Sequence, residues 1–161
     1  MTMNAPVVSL RDESLRIAGE RVAAARSFPV CYPYTGEVVA RAPKATVDNV
    51  RSAIEIARAY RSPLTRYQRY RILMRAGEII AARRDEIARL ITLESGLCLK
   101  DTLYEVGRAS DVLLFAANQS LVDDGQVYSC DLTPHGRSRK VYTLREPLQG
   151  VICAITPFNH P

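Results

Sequence analysis

The sequence predicts an α/β chain, on three observations. Amphipathic helical stretches run almost without interruption from residue 46 to 121, short turn-bounded runs flank them on both sides, and a continuous apolar run, Val151-Ile152-Cys153-Ala154-Ile155, comes last. Helices grouped in a block, followed by an apolar strand, are the pattern of a layered α/β arrangement. At 161 residues the length suits one ordinary domain.

Up to about Ala45 the chain reads as strands and turns. Ile17-Ala18-Gly19-Glu20-Arg21-Val22 has a hairpin corner, and Tyr32-Pro33-Tyr34-Thr35-Gly36-Glu37 places Pro and Gly at turn positions. Val38-Val39-Ala40 begins another strand, which Pro43 ends. Thr46 is a good N-cap with Asp48 in the first turn, and Val50, Ile54 and Ala57 recur at helical spacing as far as Tyr60. Ser62-Pro63 breaks that helix. Thr65 caps the next, whose stripe is Ile72, Ala76, Ile79 and Ile80. Arg84-Asp85 interrupts it, a third helix carries Ile87, Leu90, Ile91 and Leu93, and Gly96 ends it. A fourth, Lys100 to Leu121, presents Leu103, Val106, Leu113, Leu114 and Ala117, all expected in a core.

After Asp123-Asp124-Gly125 two strand-like runs, Val127–Leu132 and Arg139–Glu146, enclose the turn Thr133-Pro134-His135-Gly136, predicting a long hairpin with a polar, basic tip. Val151–Ile155 reads as a buried parallel strand. Such a strand needs neighbours on both sides, so the reading expects the rest of its sheet beyond Pro161.

Composition narrows the function classes. Hydrophobic residues make up 47% and charged residues 24%, which excludes a disordered or fibrous chain. No apolar run approaches the roughly 18 residues of a membrane helix. The first residues lack a basic stretch leading into an apolar one, so no secretory signal is expected and a cytoplasmic location is. Cys31, Cys98, Cys130 and Cys153 lie far apart with no C-x-x-C pair, and His135 and His160 complete a poor ligand set. Neither a metal site nor a disulfide framework is expected, and all four cysteines read as small, buried or half-buried apolar residues. The net charge of +5 comes largely from arginines between Arg58 and Arg84, with Tyr67 and Tyr70 among them. Arginine interleaved with aromatics is a device of single-stranded nucleic-acid grooves. Here Glu55, Glu78, Asp85 and Glu86 lie among the arginines, which favours a solvated, ion-paired helix face and no nucleic-acid partner.

The closing stretch Arg145-Glu146-Pro147-Leu148-Gln149-Gly150-Val151-Ile152-Cys153-Ala154-Ile155-Thr156-Pro157-Phe158-Asn159-His160-Pro161 resembles the first strand of the cofactor domain in the aldehyde dehydrogenase superfamily, whose pattern is R-E-P-x-G-V-V-x-x-I-x-P-[WF]-N-[FHY]-P. Tyr32–Ala40 resembles the family's N-P-x-T-G-E-x-I-A, with Tyr32 in place of Asn. Ile91–Gly96 resembles T-x-E-x-G-K, with Leu97 in place of Lys, and Glu105-Val106-Gly107-Arg108-Ala109 resembles E-V-x-R-A. The likeness runs from about Gly19 to the last residue.

The resemblance implies the N-terminal portion of an aldehyde dehydrogenase fold. Residues 1–122 would belong to the cofactor-binding domain, 123–146 would form an oligomerisation hairpin of a homodimer or homotetramer, and 147–161 would start the Rossmann-like sheet. It implies NAD or NADP as cofactor and a small aldehyde as substrate. Asn159 would donate its amide to the oxyanion of a thiohemiacetal, and Ile155, Thr156, Pro157 and Phe158 would line the cofactor groove, at the carboxyl end of a strand where such ligands bind. Without the flanking motif, Asn159 would read as a strand end and Ile155 as core. The nucleophilic cysteine, the general-base glutamate and the ribose-contacting lysine are expected beyond residue 161, so these 161 residues alone are expected to be inert.

Two residues bear on the choice of aldehyde. Arg108 stands in an otherwise apolar helical segment and can offer a forked donor set to an anionic head group, or be simply exposed. His160, next to Asn159, stands where many relatives have Phe; it reads as a substrate contact or as a strand-end histidine. With Leu132–Arg139 ahead of the R-E-P motif, the pattern resembles the phosphonoacetaldehyde branch of the family, so the expected substrate is a small anionic aldehyde. The alternatives are a basic helical module that binds nucleic acid and a non-catalytic oligomerisation module.

Overall fold

The computed structural model of the chain describes residues 11–145 and 150–156. Its elements are β1 (Arg11–Asp12), β2 (Leu15–Ile17), β3 (Glu20–Val22), β4 (Ser27–Cys31), β5 (Val38–Pro43), α1 (Val47–Ala59), α2 (Arg66–Ala82), α3 (Arg84–Ser95), α4 (Leu99–Gln119), β6 (Val127–Ser129) and β7 (Lys140–Tyr142). The expected succession of short strands, helical block and hairpin is present, but the hairpin strands are three residues each, shorter than the expected Val127–Leu132 and Arg139–Glu146.

The corner at Ala18-Gly19 joins β2 to β3, pairing Leu15 with Val22 and Ile17 with Glu20. Both corner residues have positive φ, 54° and 81°, as a two-residue hairpin turn that follows the strand twist requires. In a second, three-stranded sheet β5 lies between β1 and β4, parallel to the first and antiparallel to the second. The turn expected at Tyr32–Glu37 closes β4 onto β5 through Gly36 N–H to Tyr32 O (2.8 Å) and Tyr32 N–H to Glu37 O (2.9 Å).

Both threonine caps form as expected. Thr46 Oγ1 accepts from Asn49 N–H (3.2 Å) while Asn49 Oδ1 accepts from Thr46 N–H (3.0 Å), and Thr65 does the same with Gln68 (3.2 and 2.8 Å). Each box satisfies two backbone donors that a helix start leaves free. The break between α2 and α3 falls at Arg83, one residue before the expected position. Gly96 ends α3 at φ 76° with its N–H on Thr92 O (2.8 Å).

The core is small and sits where α4 crosses α2 and α3. Ala88, Val106, Ala117 and, in the sheet, Ala40 are buried. Thr102 is buried too, and its hydroxyl shares a 3.1 Å hydrogen bond with that of Thr92, so no polar group is stranded there. At Gly77 α2 faces α4, and a Cβ there would meet Leu113 Cβ at 3.7 Å, an ordinary contact distance.

Two expectations are corrected. Val151–Ile155 forms no strand; the segment is exposed, because no neighbouring strand among the described residues supplies a ladder or a covering layer. Of the cysteines, Cys31, Cys98 and Cys153 are exposed and only Cys130 is half-buried. Cys31 ends a strand beside a turn, Cys98 precedes the first turn of α4, and Cys153 lies in the unpaired segment. Small apolar size does not bury a residue that nothing packs over.

Candidate functional site

The residues proposed for chemistry fall at two places. Gly150, at φ 94°, opens a segment that carries Ile155 and Thr156 at its described end. Ile155 is 90% exposed, and Thr156 is exposed as well. Pro157, Phe158, Asn159 and His160 lie outside the described residues. A dinucleotide is held between walls, and only one surface is present here: Ile155 and Thr156 do not by themselves hold NAD or NADP.

Arg108 is on α4, two residues past the buried Val106 and therefore on the opposite face of the helix. Its guanidinium donates to Glu105 Oε1 one turn back (3.2 Å) and lies 5.9 Å from the centroid of the Tyr104 ring. The spacings i−3 and i−4 bring these partners onto the arginine's own face. Tyr104 is absent from the motifs of the sequence, although its i−4 spacing from Arg108 points to it. Carboxylate and ring hold the guanidinium on the surface of α4, with donors left over for an incoming anion.

The motifs of the sequence meet at one point. Gly96, from the stretch resembling T-x-E-x-G-K, stands where an added Cβ would be 3.2 Å from Pro33 Cγ, in the turn resembling N-P-x-T-G-E. Two segments more than 60 positions apart thus close on each other through a glycine that also needs the left-handed conformation.

The strongest electrostatic cluster lies apart from these residues. Glu86 accepts from Arg83 (2.7 and 2.9 Å) and from Arg11 on β1 (3.1 Å). The hydrogen bond from Arg83, then that from Arg11, holds its carboxyl down at about 2. Glu86 lies among the arginines in the sequence, but its link to Arg11, 75 positions away, has no local signal. Glu94, on α3, is pushed up by partial desolvation, which the Arg11 charge opposes. Clefts occur among Arg66, Asp123, Asp124 and Arg145 (about 330 Å³) and along Arg11, Arg89, Leu90 and Leu93 (about 360 Å³). Neither is lined by Arg108, Ile155 or Thr156. The Arg66–Asp123 ion pair ties α2 to the start of the hairpin, and the Arg145–Asp124 pair joins the two sides of the hairpin base. Among the described residues no three His, Cys, Asp or Glu side chains group as metal ligands, and no helix is long and apolar enough to cross a membrane.

Comparison with known proteins supplies what the geometry leaves open. A family model described as "Aldehyde dehydrogenase family" matches residues 21–161. The chain is 30% identical over 156 residues to 3-sulfolactaldehyde dehydrogenase of Priestia aryabhattai, covering 96% of this chain and 32% of that one. Among solved structures it is similar to aldehyde dehydrogenase 21 of Physcomitrella patens in complex with the reaction product succinate (28% identity, TM-score 0.74, 81% of this chain and 28% of that one). It is also similar to NADP-dependent glyceraldehyde-3-phosphate dehydrogenase of Bacillus halodurans complexed with NADP (26% identity, TM-score 0.79, 92% and 32%). The chain therefore spans about a third of the length of the curated relatives it matches. Because the family pattern runs from residue 21 to the last residue and the helical block superposes on solved members, the chain belongs to the aldehyde dehydrogenase family.

Proposed function

We propose that the chain is the N-terminal part of an NAD- or NADP-dependent dehydrogenase that oxidises a small anionic aldehyde to its carboxylic acid through a cysteine thiohemiacetal. The observation that carries this reading is the family match across residues 21–161, which takes in the motif that contains Asn159. Asn159 donates its amide N–H to the oxyanion formed when a thiolate adds to the aldehyde carbon. A donor already in place where charge develops needs no reorganisation. NAD or NADP, bound against the Ile155–Phe158 strand end, supplies the hydride acceptor. The thiol nucleophile, the general base and the ribose-contacting lysine come from outside residues 1–161. Residues 1–122 act as part of the cofactor domain, 123–146 as an oligomerisation hairpin and 147–161 as the start of the nucleotide-binding sheet.

Three relatives have names that support the anionic class, since 3-sulfolactaldehyde, succinate and glyceraldehyde-3-phosphate carry an acidic group, while the lactaldehyde and betaine aldehyde dehydrogenases among the relatives name uncharged and cationic aldehydes. Phosphonoacetaldehyde, suggested by the Leu132–Arg139 and His160 pattern, belongs to the same class. Arg108 and His160 are the residues proposed to read the head group.

The test is a substrate panel. The 161-residue chain alone shows no aldehyde-dependent formation of NADH or NADPH. In a polypeptide carrying the nucleophile, anionic aldehydes have higher kcat/KM than neutral ones of the same length, and Arg108→Ala raises KM for the anionic ones selectively. Equal KM increases for neutral and anionic aldehydes would remove Arg108 from substrate reading; turnover by the 161 residues alone would overturn the assignment of the nucleophile.

A further inference from the structure

The ion-paired helix face expected of the arginines between Arg58 and Arg84 forms only in part. Among the described residues, Arg66 pairs with Asp123, Arg75 with Glu78 and Arg83 with Glu86, while Arg58, Arg61, Arg69, Arg71 and Arg84 have no carboxylate partner within ion-pair distance. All of these five except Arg84 fall in the stretch 58–77, which carries no Asp or Glu. Glu78, the next acid along the chain, is taken by Arg75.

Two of the unpaired guanidiniums are held in place by the connection between α1 and α2. Arg61 donates through one terminal nitrogen to Arg58 O and Tyr60 O (3.0 Å each), at the end of α1. Arg69, near the start of α2, reaches back to Leu64 O (2.9 Å). The anchors Tyr60 O and Leu64 O are four residues apart, so at most about 15 Å separates them. A guanidinium carries five N–H donors, and each anchor occupies one nitrogen, which leaves the others for a phosphate oxygen. A long side chain fixed beforehand loses less entropy when a ligand arrives. Aromatic rings accompany the charges. Tyr67 is 59% exposed, its ring lies 6.1 Å from that of Tyr70 at 24°, and its hydroxyl faces the Arg71 guanidinium one turn on. Tyr70 is half-buried and backs the pair, so the outer face of Tyr67 stays open.

We propose that the α1–α2 corner, with Arg61, Arg69 and Arg71 around the Tyr67 ring, binds a single-stranded nucleic acid, its phosphates on the guanidiniums and a base stacked on Tyr67. Charge complementarity selects a polyanion. The open ring selects one with flat, accessible bases, which an anionic membrane lacks and a duplex keeps inside its stack. Base stacking is tolerant of sequence, so the corner discriminates strandedness and not base identity. The inference is separate from the aldehyde chemistry, since it uses neither Arg108 nor Asn159.

The probe is a fluorescent oligouridylate of about twelve nucleotides, within the site sizes of such grooves, titrated with the 161-residue chain and followed by anisotropy across a salt series. Three phosphate contacts at about −0.7 each predict a slope of log Kobs against log[salt] of about −2. Arg69→Ala is expected to weaken binding and to make that slope shallower by about 0.7. Tyr67→Leu is expected to weaken binding about five-fold or more with the slope unchanged, while Tyr67→Phe, which keeps the ring, binds as the parent does. Arg84→Ala, also unpaired but about 25 Å away at the far end of the 17-residue α2, changes neither quantity. Circular dichroism of each variant confirms that the helices are intact. Absence of saturable binding at low salt overturns the proposal, as does equal affinity in Tyr67→Leu, which would reduce the contact to bare charge. Tighter binding to duplex RNA of the same length would refute the single-stranded class. Binding to phosphatidylserine vesicles without binding to the oligonucleotide would give the corner to a membrane and overturn the proposal.

Discussion

Gly96 stands at φ 76°, with Pro33 3.2 Å from where a Cβ would be. An alanine there meets two penalties at once. The left-handed conformation costs a non-glycine residue about 1–2 kcal/mol, and Pro33 is part of a turn whose ring cannot swing aside as a long side chain would. Gly96→Ala is expected to destabilise by about 2 kcal/mol, read as a shift in urea midpoint; Gly107→Ala, with nothing within 4 Å of the added Cβ, is expected to be neutral or slightly stabilising. Arg108 belongs to a different kind of residue. Its own side chain is 53% exposed and its ring partner Tyr104 is exposed as well, although the Glu105 side chain is only 14% exposed; an ion pair whose guanidinium solvent reaches adds little stability. Arg108→Ala is therefore expected to leave stability within about 0.5 kcal/mol and to act on anionic substrate alone.

Among the elements, α1 depends most on its own ends. At 13 residues it is near the limit for an isolated helix, and it buries nothing. Thr46→Ala removes one cap acceptor worth about 1 kcal/mol, and the helical circular-dichroism signal is expected to fall further for it than for Thr65→Ala, because α2 has α4 to lean on. The tie between β1 and α3 through Glu86 makes a separate prediction, this one in pH. A carboxyl held at about 2 against an ordinary 4.5 favours the folded state above 4.5, and that contribution disappears as the pH falls from 4.5 to about 2. Glu94, pushed the other way by desolvation, adds stability as it takes up a proton, and that gain comes as the pH falls to 4.5, before the loss from Glu86 sets in. Glu86→Gln is expected to flatten the acid limb of the stability curve; an unchanged limb would show that the three-residue cluster carries no folding linkage. The caps, the Ala18-Gly19 corner, the Tyr32–Glu37 turn and the end at Gly96 were legible in the sequence because each is decided within four or five residues. The parallel pairing of Arg11 with Ala40 and the ion pair of Arg11 with Glu86 were not, since nothing near Arg11 specifies either partner.

For the molecule as a whole, legibility ended where burial begins. Helical stripes at Ile72, Ile79, Val50 and Ile54 were read correctly as apolar faces, yet they are exposed, and the same is true of the run Val151–Ile155 and of Cys31, Cys98 and Cys153. Periodicity shows that a face is apolar; only the neighbouring layer decides whether it is covered. The site divides the same way. Arg108 and the Gly96–Pro33 closure are placed by the structure, whereas Asn159 and His160, which carry the motif, lie outside the described residues. The claim that unites these parts is that Asn159 stabilises an oxyanion in an aldehyde oxidation. Its most direct test is the kcat of Asn159→Ala in a polypeptide that also carries the nucleophile, measured with saturating anionic aldehyde and cofactor. The account predicts a fall of about 10²–10³ with the fold intact by circular dichroism; a kcat within a factor of about three of the unsubstituted enzyme, well short of the loss of one such donor, would contradict it.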